Sequence, residues 1–423
     1  MDASALGPVA ESGQARQSLF VLAVLATLMG FASISTDLYL PALPTMTGAL
    51  RSGPGAMELT ISGYLAGFSI GQLIWGPIGD RYGRKSPIAI GLALFVIGAA
   101  GCALSTSAPE LIGWRVVQAL GACAGVTLGR AMVRDLYAGA QAARMLSTLM
   151  TVMAIAPLIG PIAGGQILAV GSWQAIFWVL VGIGVATLAA LFLLPETLPP
   201  ARRNREPLLQ AFAAYRTLAT NARVVGFAGA SGLFYASIFA YVAGTPFAYI
   251  SYYHVPPQWY GVLFGGGMIG MMAANLLNAR LVGRFGLVGL LRVGVTVAAL
   301  AGVATAVDAW TGFGGLAGLA APMLLCIATN GFIVANSVVG ALSVFPDRAG
   351  AVSALIGAAQ YGSGIAGSAL VGAFEDGTPR PMGAIMALAT LGACLCAWRF
   401  VRSDRSNPVP QMHEAMVASL AGE

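Results

Sequence analysis

The feature that most restricts the fold of this chain is a series of about twelve apolar stretches, each close to twenty residues long. A helix of that length crosses the ~30 Å hydrocarbon core of a bilayer. The stretches lack the short alternating pattern of an outer-membrane barrel. With 57% hydrophobic residues, 9% charged residues and a mean hydropathy of +0.80, the chain is also too apolar to cover a soluble globule of 423 residues. We therefore predict an all-α polytopic membrane protein.

The apolar stretches divide into two sets of six. The first set runs near 19–40, 57–78, 87–106, 109–130, 145–168 and 173–194, and the second near 224–248, 259–279, 286–308, 314–337, 350–374 and 381–401. An arginine-rich polar segment separates them. We expect an N-terminal six-helix bundle at 1–198, a cytoplasmic linker at 199–222, a C-terminal six-helix bundle at 223–405 and a cytoplasmic tail at 406–423. The first stretch is too long for the core of a cleaved signal peptide, so we expect it to remain.

The distribution of basic residues predicts the orientation in the membrane. With a cytoplasmic N-terminus, every Lys and Arg except Arg51, Arg115 and Arg380 falls in or beside a cytoplasmic segment. We therefore expect a multi-pass protein of the bacterial inner (cytoplasmic) membrane with both termini in the cytoplasm. The net charge of +6 lies in short loops rather than in one stripe, so we do not expect a nucleic-acid partner.

Cysteines and histidines give no indication of a cofactor, a metal site or an enzyme. All five cysteines, Cys102, Cys123, Cys326, Cys394 and Cys396, lie in apolar spans and are interpreted as packing residues. The chain has no phosphate-binding loop and no His-Glu-x-x-His site, and its two histidines, His254 and His413, lie far from any acidic cluster.

Asp37 is the acidic residue that lies clearly inside a predicted span. A central aspartate costs roughly 2.5–3.5 kcal/mol to insert, so such a residue usually faces a wet cavity or a partner and marks an ion or substrate path. The alternative is a residue that reaches the outer interface of the membrane, since Asp37 lies near the outer end of its span.

Arg115 is the base that lies well inside a span, with Gln118 one turn later on the same helix face. It needs an acceptor, and Asp37 is the obvious candidate, either directly or through water or substrate. The alternative is a structural role, in which Arg115 donates hydrogen bonds to carbonyl groups where a helix breaks.

Two further motifs combine small residues with proline or charge. The loop at 76–85 carries an acid and glycines among bases, beyond what a purely topological charge run would need. A weaker copy of its spacing recurs at 283–286, which suggests two related halves. In span five, prolines four residues apart alternate with glycines on one face, which suits either a helix pair that opens and closes or plain close packing.

These residues resemble the major facilitator superfamily and, within it, the Bcr/CflA (bicyclomycin and chloramphenicol resistance) drug exporters. The resemblance rests on the loop at 76–85, on the segments 35–44 and 132–137, on Arg115 with Gln118, on the span-five motif and on 195–199. It covers the first half densely and the second half mainly by its span pattern.

The resemblance implies two six-helix bundles around a central cavity and a proton-coupled efflux transporter of small molecules that works by alternating access. Asp37 would carry the proton and Arg115 would be its partner or a substrate contact. The resemblance also implies a cytoplasmic gate loop of Gly76, Gly79, Asp80, Arg81, Gly83, Arg84, Lys85, Arg134 and Asp135, and an antiporter motif of Pro157, Gly160, Pro161, Gly164 and Gly165. Some relatives have a second acid two turns before the aspartate, where this chain has Met29-Gly30-Phe31, which disfavours cationic substrates that need two carboxylates.

Several polar or aromatic side chains are candidates for the wall of the substrate cavity: Tyr39, Tyr64, Gln118, Tyr235, Tyr241, Asn275, Asn330, Asn336, Gln360 and Tyr361. Buried amides often only tie helices together, so we expect only some of them to face the cavity. The expected partners are a small-molecule substrate, protons and the lipid bilayer, with the chain acting as a monomer. A proton-coupled importer of a small metabolite is the alternative on the same fold, and a channel is disfavoured by the two-half organisation.

Overall fold

The computed structural model describes residues 8–137, 139–203, 218, 220–345 and 349–401, and within these ranges it contains helices, turns and bends but no strand. Helices dominate because a chain in lipid must satisfy its backbone hydrogen bonds internally. The first half contains α1 (Pro8–Asp37), α2 (Leu43–Ala49), α3 (Pro54–Tyr82), α4 (Lys85–Leu104), α5 (Ala108–Leu136), α6 (Gly139–Val170) and α7 (Trp173–Phe192). The second half contains α8 (Ala222–Pro246), α9 (Pro257–Phe285), α10 (Leu287–Thr311), α11 (Gly315–Ala328), α12 (Asn330–Leu342), α13 (Ala349–Ala373) and α14 (Arg380–Phe400).

The prediction of an all-α membrane fold is confirmed. In the described chain, nine helical stretches are long and apolar enough to cross a membrane. Three further long helices, α3, α6 and α13, stand where the other predicted spans lie, and α6 contains an apolar segment at Ile155–Val170. The architecture is therefore consistent with twelve spans.

Two predicted spans are interrupted rather than continuous. The first span ends as an α-helix at Asp37 and continues through a 3-10 turn at Leu40–Ala42 into the short helix α2. The tenth is divided into α11 and α12, which meet at Thr329. Chain breaks at membrane depth are tolerated where the freed backbone groups are buried in protein or line a cavity. Both breaks lie beside residues that line the space between the halves.

The helices pack as two groups that match the two halves of the sequence. In the first half α5 packs against α3, α4 and α1, and in the second half α8 packs against α13 and α14. The halves meet through two equivalent helix pairs, α3 with α13 and α6 with α9. The predicted tail at 406–423 and most of the predicted linker at 199–222 lie outside the described residues, so their boundaries stay predictions.

The two halves approach each other closely at one end of the bundle. We call the end where α3 finishes, at Tyr82, the linker end, and the end where α3 begins, at Pro54, the far end. At the far end, a Cβ atom added to Gly55 would collide with the backbone carbonyl of Gly372 on α13. A Cβ atom added to Gly165 on α6 would lie 2.7 Å from the carbonyl oxygen of Pro257 on α9. Backbone therefore touches backbone across both helix pairs at the far end.

The weak sequence repeat at 80–83 and 283–286 corresponds to a repeat in backbone structure. Gly83 ends α3 with φ of +95° and Gly286 ends α9 with φ of +70°, in a region that residues with a side chain avoid. Each glycine amide donates to the carbonyl four residues earlier, at 3.2 Å to Gly79 and 3.0 Å to Val282. The two halves therefore turn from one helix to the next in the same way.

Candidate functional site

A cavity of about 430 Å³ lies between the two halves of the molecule. Its wall combines residues of the first half, on α1, α3 and α6, with residues of the second half, on α8, α9, α11, α12 and α13. The polar or ionisable members of the wall are Ser33, Thr36, Asp37, Tyr64, Tyr235, Asn330 and Tyr361, and the others are apolar. A mainly apolar pocket with a few converging polar groups is the usual form of a small-molecule site.

Asp37 is the one carboxylate among the described residues that line this cavity. It is the last residue of α1, at the point where the first span breaks, and 7% of its surface is exposed. The break frees the carbonyl groups of the last turn of α1 and allows the chain to change direction beside the cavity. The structure therefore places Asp37 inside the protein at the cavity wall rather than at the membrane interface.

The span-five motif packs against the end of α1 that carries Asp37. A Cβ atom added to Gly160 would lie 2.9 Å from Cβ of Asp37, and one added to Gly164 would collide with the carbonyl oxygen of Leu38. Pro157 lines the cavity one turn earlier, and Pro161 is buried. The small residues of α6 thus let its backbone come within contact distance of the segment that bears the carboxylate.

Arg115 is completely buried and lies between two aromatic rings. Its guanidinium carbon is 4.2 Å from the ring centroid of Tyr39 and 4.2 Å from that of Tyr64. Its Nη1 donates to the backbone oxygen of Ser35 at 2.9 Å and to Oε1 of Gln118 at 2.6 Å. Ser35 lies in the last turn of α1, so this carbonyl is one that the helix leaves without a partner. The bond to Ser35 is the kind of contact expected if Arg115 has a structural role, in which it donates to a carbonyl group where a helix breaks.

Arg115 and Asp37 interact electrostatically but are not in direct contact. Their side chains form no ion pair within 4.0 Å, although the guanidinium attracts the carboxylate electrostatically. Two further nitrogens of Arg115, Nε and Nη2, are buried without a hydrogen-bond partner among the described residues. The cation is therefore held by two aromatic faces, by Gln118 and by one helix end, and two of its nitrogens have no acceptor in the part of the chain that the structure describes.

Aromatic rings from both halves form a continuous part of the cavity wall. Phe68 of α3 lies 5.2 Å from Tyr361 of α13, measured between ring centroids. Tyr361 lies 6.0 Å from Tyr235 of α8, and Tyr235 lies 6.1 Å from Phe239. Tyr64 and Phe68 stack at 6.4 Å. Such rings offer large apolar area with few directional requirements.

The predicted cavity residues fall into two groups in the structure. Tyr64, Tyr235, Asn330 and Tyr361 line the cavity. The remaining members do not: Tyr39 and Gln118 contact Arg115, Tyr241 and Gln360 are buried, Asn275 is exposed, and Asn336 donates to Asn278 at 2.7 Å. The last contact ties α12 to α9, which is the packing role that buried amides often have.

Around the loop at 76–85, the residue that organises the charges is Arg84. Its Nη1 lies 2.7 Å from Oδ1 of Asp80, and its Nε lies 2.9 Å from Oδ2 of Asp135 at the end of α5. Arg84 is nearly buried, whereas Arg81 is exposed and lies over the ring of Tyr82. Gly79 allows close packing, since a Cβ atom added there would collide with Leu128, whereas a Cβ atom added to Gly76 would meet nothing within 4 Å. The side chain of Arg134 lies outside the described residues.

Glu196 completes this cluster from the end of the first half. Its carboxylate accepts hydrogen bonds from the backbone amides of Arg84 at 2.8 Å and Lys85 at 3.1 Å, at the start of α4. Partial burial opposes ionisation, but amide hydrogen bonds from Leu198, Arg84, Lys85 and Thr197 together hold the pKa of Glu196 below its usual range. Lys85 reaches in the opposite direction, to the carbonyls of Phe192 and Leu194 at 2.8 and 2.7 Å. The loop is thus fastened to the end of α7.

Two buried acids were not singled out from the sequence. Glu58, with 2% of its surface exposed, lies on α3 near the far end, and Asp308, with 6% exposed, lies near the end of α10. Asp37 is therefore not the only acid buried within a long helix. Both residues lie at the margin of an apolar stretch, so hydropathy placed them at the membrane surface. Only the packing of neighbouring segments shows that they are covered.

The fold and the cavity define a polytopic membrane protein of two facing helix bundles around a binding site, the architecture of a transporter. The family model described as the Major Facilitator Superfamily matches residues 24–368, and the chain belongs to that superfamily. The resemblance predicted from the sequence motifs is thereby confirmed.

The relatives include proteins named for drug resistance. The chain is 34% identical over 383 residues to an MFS-type transporter of Bacillus subtilis, YdgK, covering 89% of this chain and 93% of the relative. It is 30% identical to the bicyclomycin resistance protein homolog of Haemophilus influenzae, covering 90% and 95% of the two chains. It is also 30% identical to the chloramphenicol resistance protein of Pseudomonas aeruginosa, covering 77% of each.

Solved structures share the fold at low sequence identity. The xylose transporter XylE from E. coli, in a partially occluded inward-open conformation, matches with a TM-score of 0.69 at 16% identity, covering 92% of this chain and 99% of that chain. The nucleoside transporter NupG matches with a TM-score of 0.72 at 15% identity, covering 90% and 98%. At such identities the likeness concerns the fold alone.

Proposed function

We propose that this protein is a proton-coupled exporter of small, largely apolar molecules, and that it exchanges them for protons by alternating access. The observation that carries the proposal is the position of Asp37, a carboxylate at a helix break in the wall of a cavity shared by both halves. Relatives named for bicyclomycin and chloramphenicol resistance support the direction and the class of substrate.

The cavity wall favours an apolar or weakly polar substrate. Rings on α3, α8 and α13 lie among further apolar side chains in the wall, and Asn330 and the tyrosines are its few uncharged polar members besides Ser33 and Thr36. Asp37 is the single carboxylate in the described wall, so a bound substrate and a bound proton would each change the stability of its charged form. If binding of one disfavours binding of the other, the protein exchanges substrate for protons.

Arg115 contributes to coupling as a fixed positive charge behind Asp37. Its hydrogen bond to the Ser35 carbonyl and its position between two rings hold it beside the end of α1 without neutralising Asp37 directly. An ionised Asp37 is stabilised by this charge, whereas a protonated Asp37 is favoured by the apolar surroundings. A small movement of the α1 end relative to Arg115 would shift the balance between the two forms.

The packing of the far end supports an inward-facing assignment. Backbone contacts join α3 to α13 and α6 to α9 there. With the linker end placed in the cytoplasm of a bacterial inner membrane, as the distribution of basic residues predicts, the cavity would receive its substrate from the inside. Opening of the far end would then release the substrate to the outside.

The experiment is transport in inverted membrane vesicles with an acidic lumen, comparing the native chain with Asp37→Asn and with Asp376→Asn, an exposed acid near the start of α14. We expect the native chain and Asp376→Asn to accumulate a member of a panel of apolar drugs, and Asp37→Asn to lose proton-driven accumulation. A folded Asp37→Asn variant that is equally active would refute the role of Asp37. Loss of a metabolite from the acidic lumen, driven by the proton gradient, would indicate the importer instead.

A further inference from the structure

Glu58 lies inside the contact between α3 and α13 that closes the far end. Gly55 and Gly372 approach one turn before it, and the hydroxyl groups of Ser62 and Ser368 lie 2.8 Å apart one turn after it. The spacing of three and four residues puts Gly55, Glu58 and Ser62 on one face of α3. Glu58 is therefore part of the surface through which the first half of the molecule meets the second.

The surroundings of Glu58 provide no counter-charge. Its Oε2 is buried and has no hydrogen-bond partner among the described residues. A Cβ atom added to Gly372 would lie 3.5 Å from that oxygen, so α13 covers it with backbone rather than with a donor. A small cavity of about 50 Å³ adjoins the side chain, and the titratable groups that share its wall are Glu375 and Tyr252.

The nearby charges do not compensate Glu58. Glu375 carries a charge of the same sign and repels an ionised Glu58. Asp376 accepts hydrogen bonds from the amide and hydroxyl groups of Thr378, and Arg380 lies over the ring of Trp310 at 5.2 Å. Removing one partner of a buried charge, or never supplying one, costs several kcal/mol on the usual scale. The packed far end therefore accommodates Glu58 in its neutral form.

We propose that Glu58 is a second proton-binding carboxyl group, neutral while α3 and α13 are packed at the far end and ionised when the far end opens to water. The inference rests on the alternating-access part of the proposed function. It differs from the role of Asp37, because Glu58 takes up and returns its proton on the same side of the membrane. Glu58 therefore adds no proton to those moved in each cycle, and it determines how readily the far end closes.

The consequence is that acidity on the far side favours closure. When that side is acidic, Glu58 is neutral and α13 packs over it without a charge penalty. At higher pH, closure requires either proton uptake or burial of an unpaired carboxylate beside Glu375. Closure thus becomes easier under the same conditions that would drive proton-coupled export.

The test measures the opening of the far end directly, without substrate or gradient. Spin labels at Gly53→Cys and Phe374→Cys, which are both exposed positions, report the distance between the start of α3 and the segment after α13 in a protein whose five native cysteines are replaced by serine. In lipid nanodiscs we expect a shift of the native population from the short to the long distance as pH rises from mildly acidic to mildly alkaline. In Glu58→Gln we expect the short distance throughout, and Asp376→Asn should behave as the native chain does.

A native distance that does not respond to pH, or an unchanged response in Glu58→Gln, would overturn the proposal. Glu375→Gln provides a variant in which Glu58 itself is intact. Without the charge of Glu375, the closed far end buries an ionised Glu58 at lower cost, so we expect a smaller long-distance population at mildly alkaline pH than in the native chain, and an unchanged population would contradict the proposal.

Asp37→Asn separates this inference from the proposed function. We expect this variant to keep the pH response of the distance even though it loses proton-driven transport. If the response disappears with Asp37, it belongs to that residue and the assignment to Glu58 is wrong. If Asp37→Asn transports normally while the distance still depends on Glu58, the proposed coupling site fails and the far-end proton site stands.

Discussion

Arg115 donates a hydrogen bond of 2.9 Å to the backbone carbonyl of Ser35, in the last turn of α1. A cation on one helix thereby completes the end of another helix, the one that carries the cavity carboxylate. The segment that carries Asp37 is therefore contacted both by Arg115 and by α6.

We expect Arg115→Lys to destabilise the protein and to abolish transport, although the charge is retained. A lysine does not present the planar group whose central carbon lies 4.2 Å from each of the two tyrosine ring centroids, and its donors sit on one nitrogen rather than along a planar fork. Arg115→Met removes the hydrogen bonds to the Ser35 carbonyl and to Gln118, and a hydrogen bond to a charged group typically contributes about 1.5–3 kcal/mol, so this variant should also be destabilised. The measurement is the thermal unfolding midpoint in detergent alongside vesicle transport. Arg380→Lys is the matched control, an exposed cation over a ring, and should change neither quantity.

We expect Gly164→Ala to reduce transport strongly by displacing the end of α1. The added methyl group would meet the Leu38 carbonyl oxygen, so either α6 or the segment after Asp37 must move. Overpacking of this kind costs about 1–3 kcal/mol. Gly182→Ala on α7, where a methyl group would meet nothing within 4 Å, should leave transport intact. Equal transport in the two variants would show that close contact between α6 and α1 is not needed.

We expect Ser62→Cys combined with Ser368→Cys to lock the far end when oxidised. The two hydroxyl oxygens are 2.8 Å apart across the contact between the halves, so the substituted sulfur atoms fall within reach of a disulfide. Oxidation should stop transport and a reducing agent should restore it, since alternating access requires this contact to open. Each single variant should transport with and without oxidant. Full transport by the cross-linked protein would contradict far-end opening.

We expect Tyr361→Ala to weaken substrate binding about tenfold, a loss of ~1.4 kcal/mol, whereas Tyr361→Phe should have little effect. The ring of Tyr361 contacts Phe68 and Tyr235 in the cavity wall, so its apolar area matters more than its hydroxyl group. The measurement is the concentration of a transported drug at half-maximal uptake. Phe313→Ala, at an exposed ring after α10, serves as the control. A larger effect of Tyr361→Phe than of Tyr361→Ala would indicate polar recognition instead.

We expect the ionisation of Glu196 to make the thermal stability of the protein depend on pH at acidic pH. Its folded-state pKa lies below the usual range, because amide hydrogen bonds from Leu198, Arg84, Lys85 and Thr197 outweigh the effect of its partial burial. A group with a depressed pKa contributes stability that is present above its unfolded pKa and is lost as pH falls through its folded pKa. The native protein should therefore lose more thermal stability than Glu196→Gln between neutral and strongly acidic pH. An identical loss in both proteins would show that this carboxylate does not fasten the loop to α7.

The sequence predicts the parts of this site that depend on local pattern. An acid within an apolar stretch identifies Asp37, and glycines four residues apart identify the face of α6 that packs against α1. Contacts that depend on where a helix stops are beyond such patterns. For Arg115 the sequence offers Asp37, directly or through water or substrate, and helix-end carbonyls as the alternative. In the structure Arg115 donates to Gln118 and to the Ser35 carbonyl, which is free because α1 ends at Asp37.

Glu58 and Glu196 illustrate two other limits of the sequence. Glu58 stands at the margin of an apolar stretch, so its burial depends on α13, a helix about three hundred residues away in the chain. Glu196 acts through backbone amides of residues 84 and 85, which any residue type other than proline would offer. Neither contact leaves a spacing signal in a single chain.

The backbone contact between Gly55 and Gly372 has a consequence for inhibition. At these two glycines the seam is made of backbone, so neither residue 55 nor residue 372 offers a side chain to fill it as the halves separate. Under the proposed orientation, this seam faces the outside of the cell. A small rigid compound that lodges there after opening would arrest the transport cycle without having to cross the membrane, and without competing with substrate for the aromatic cavity.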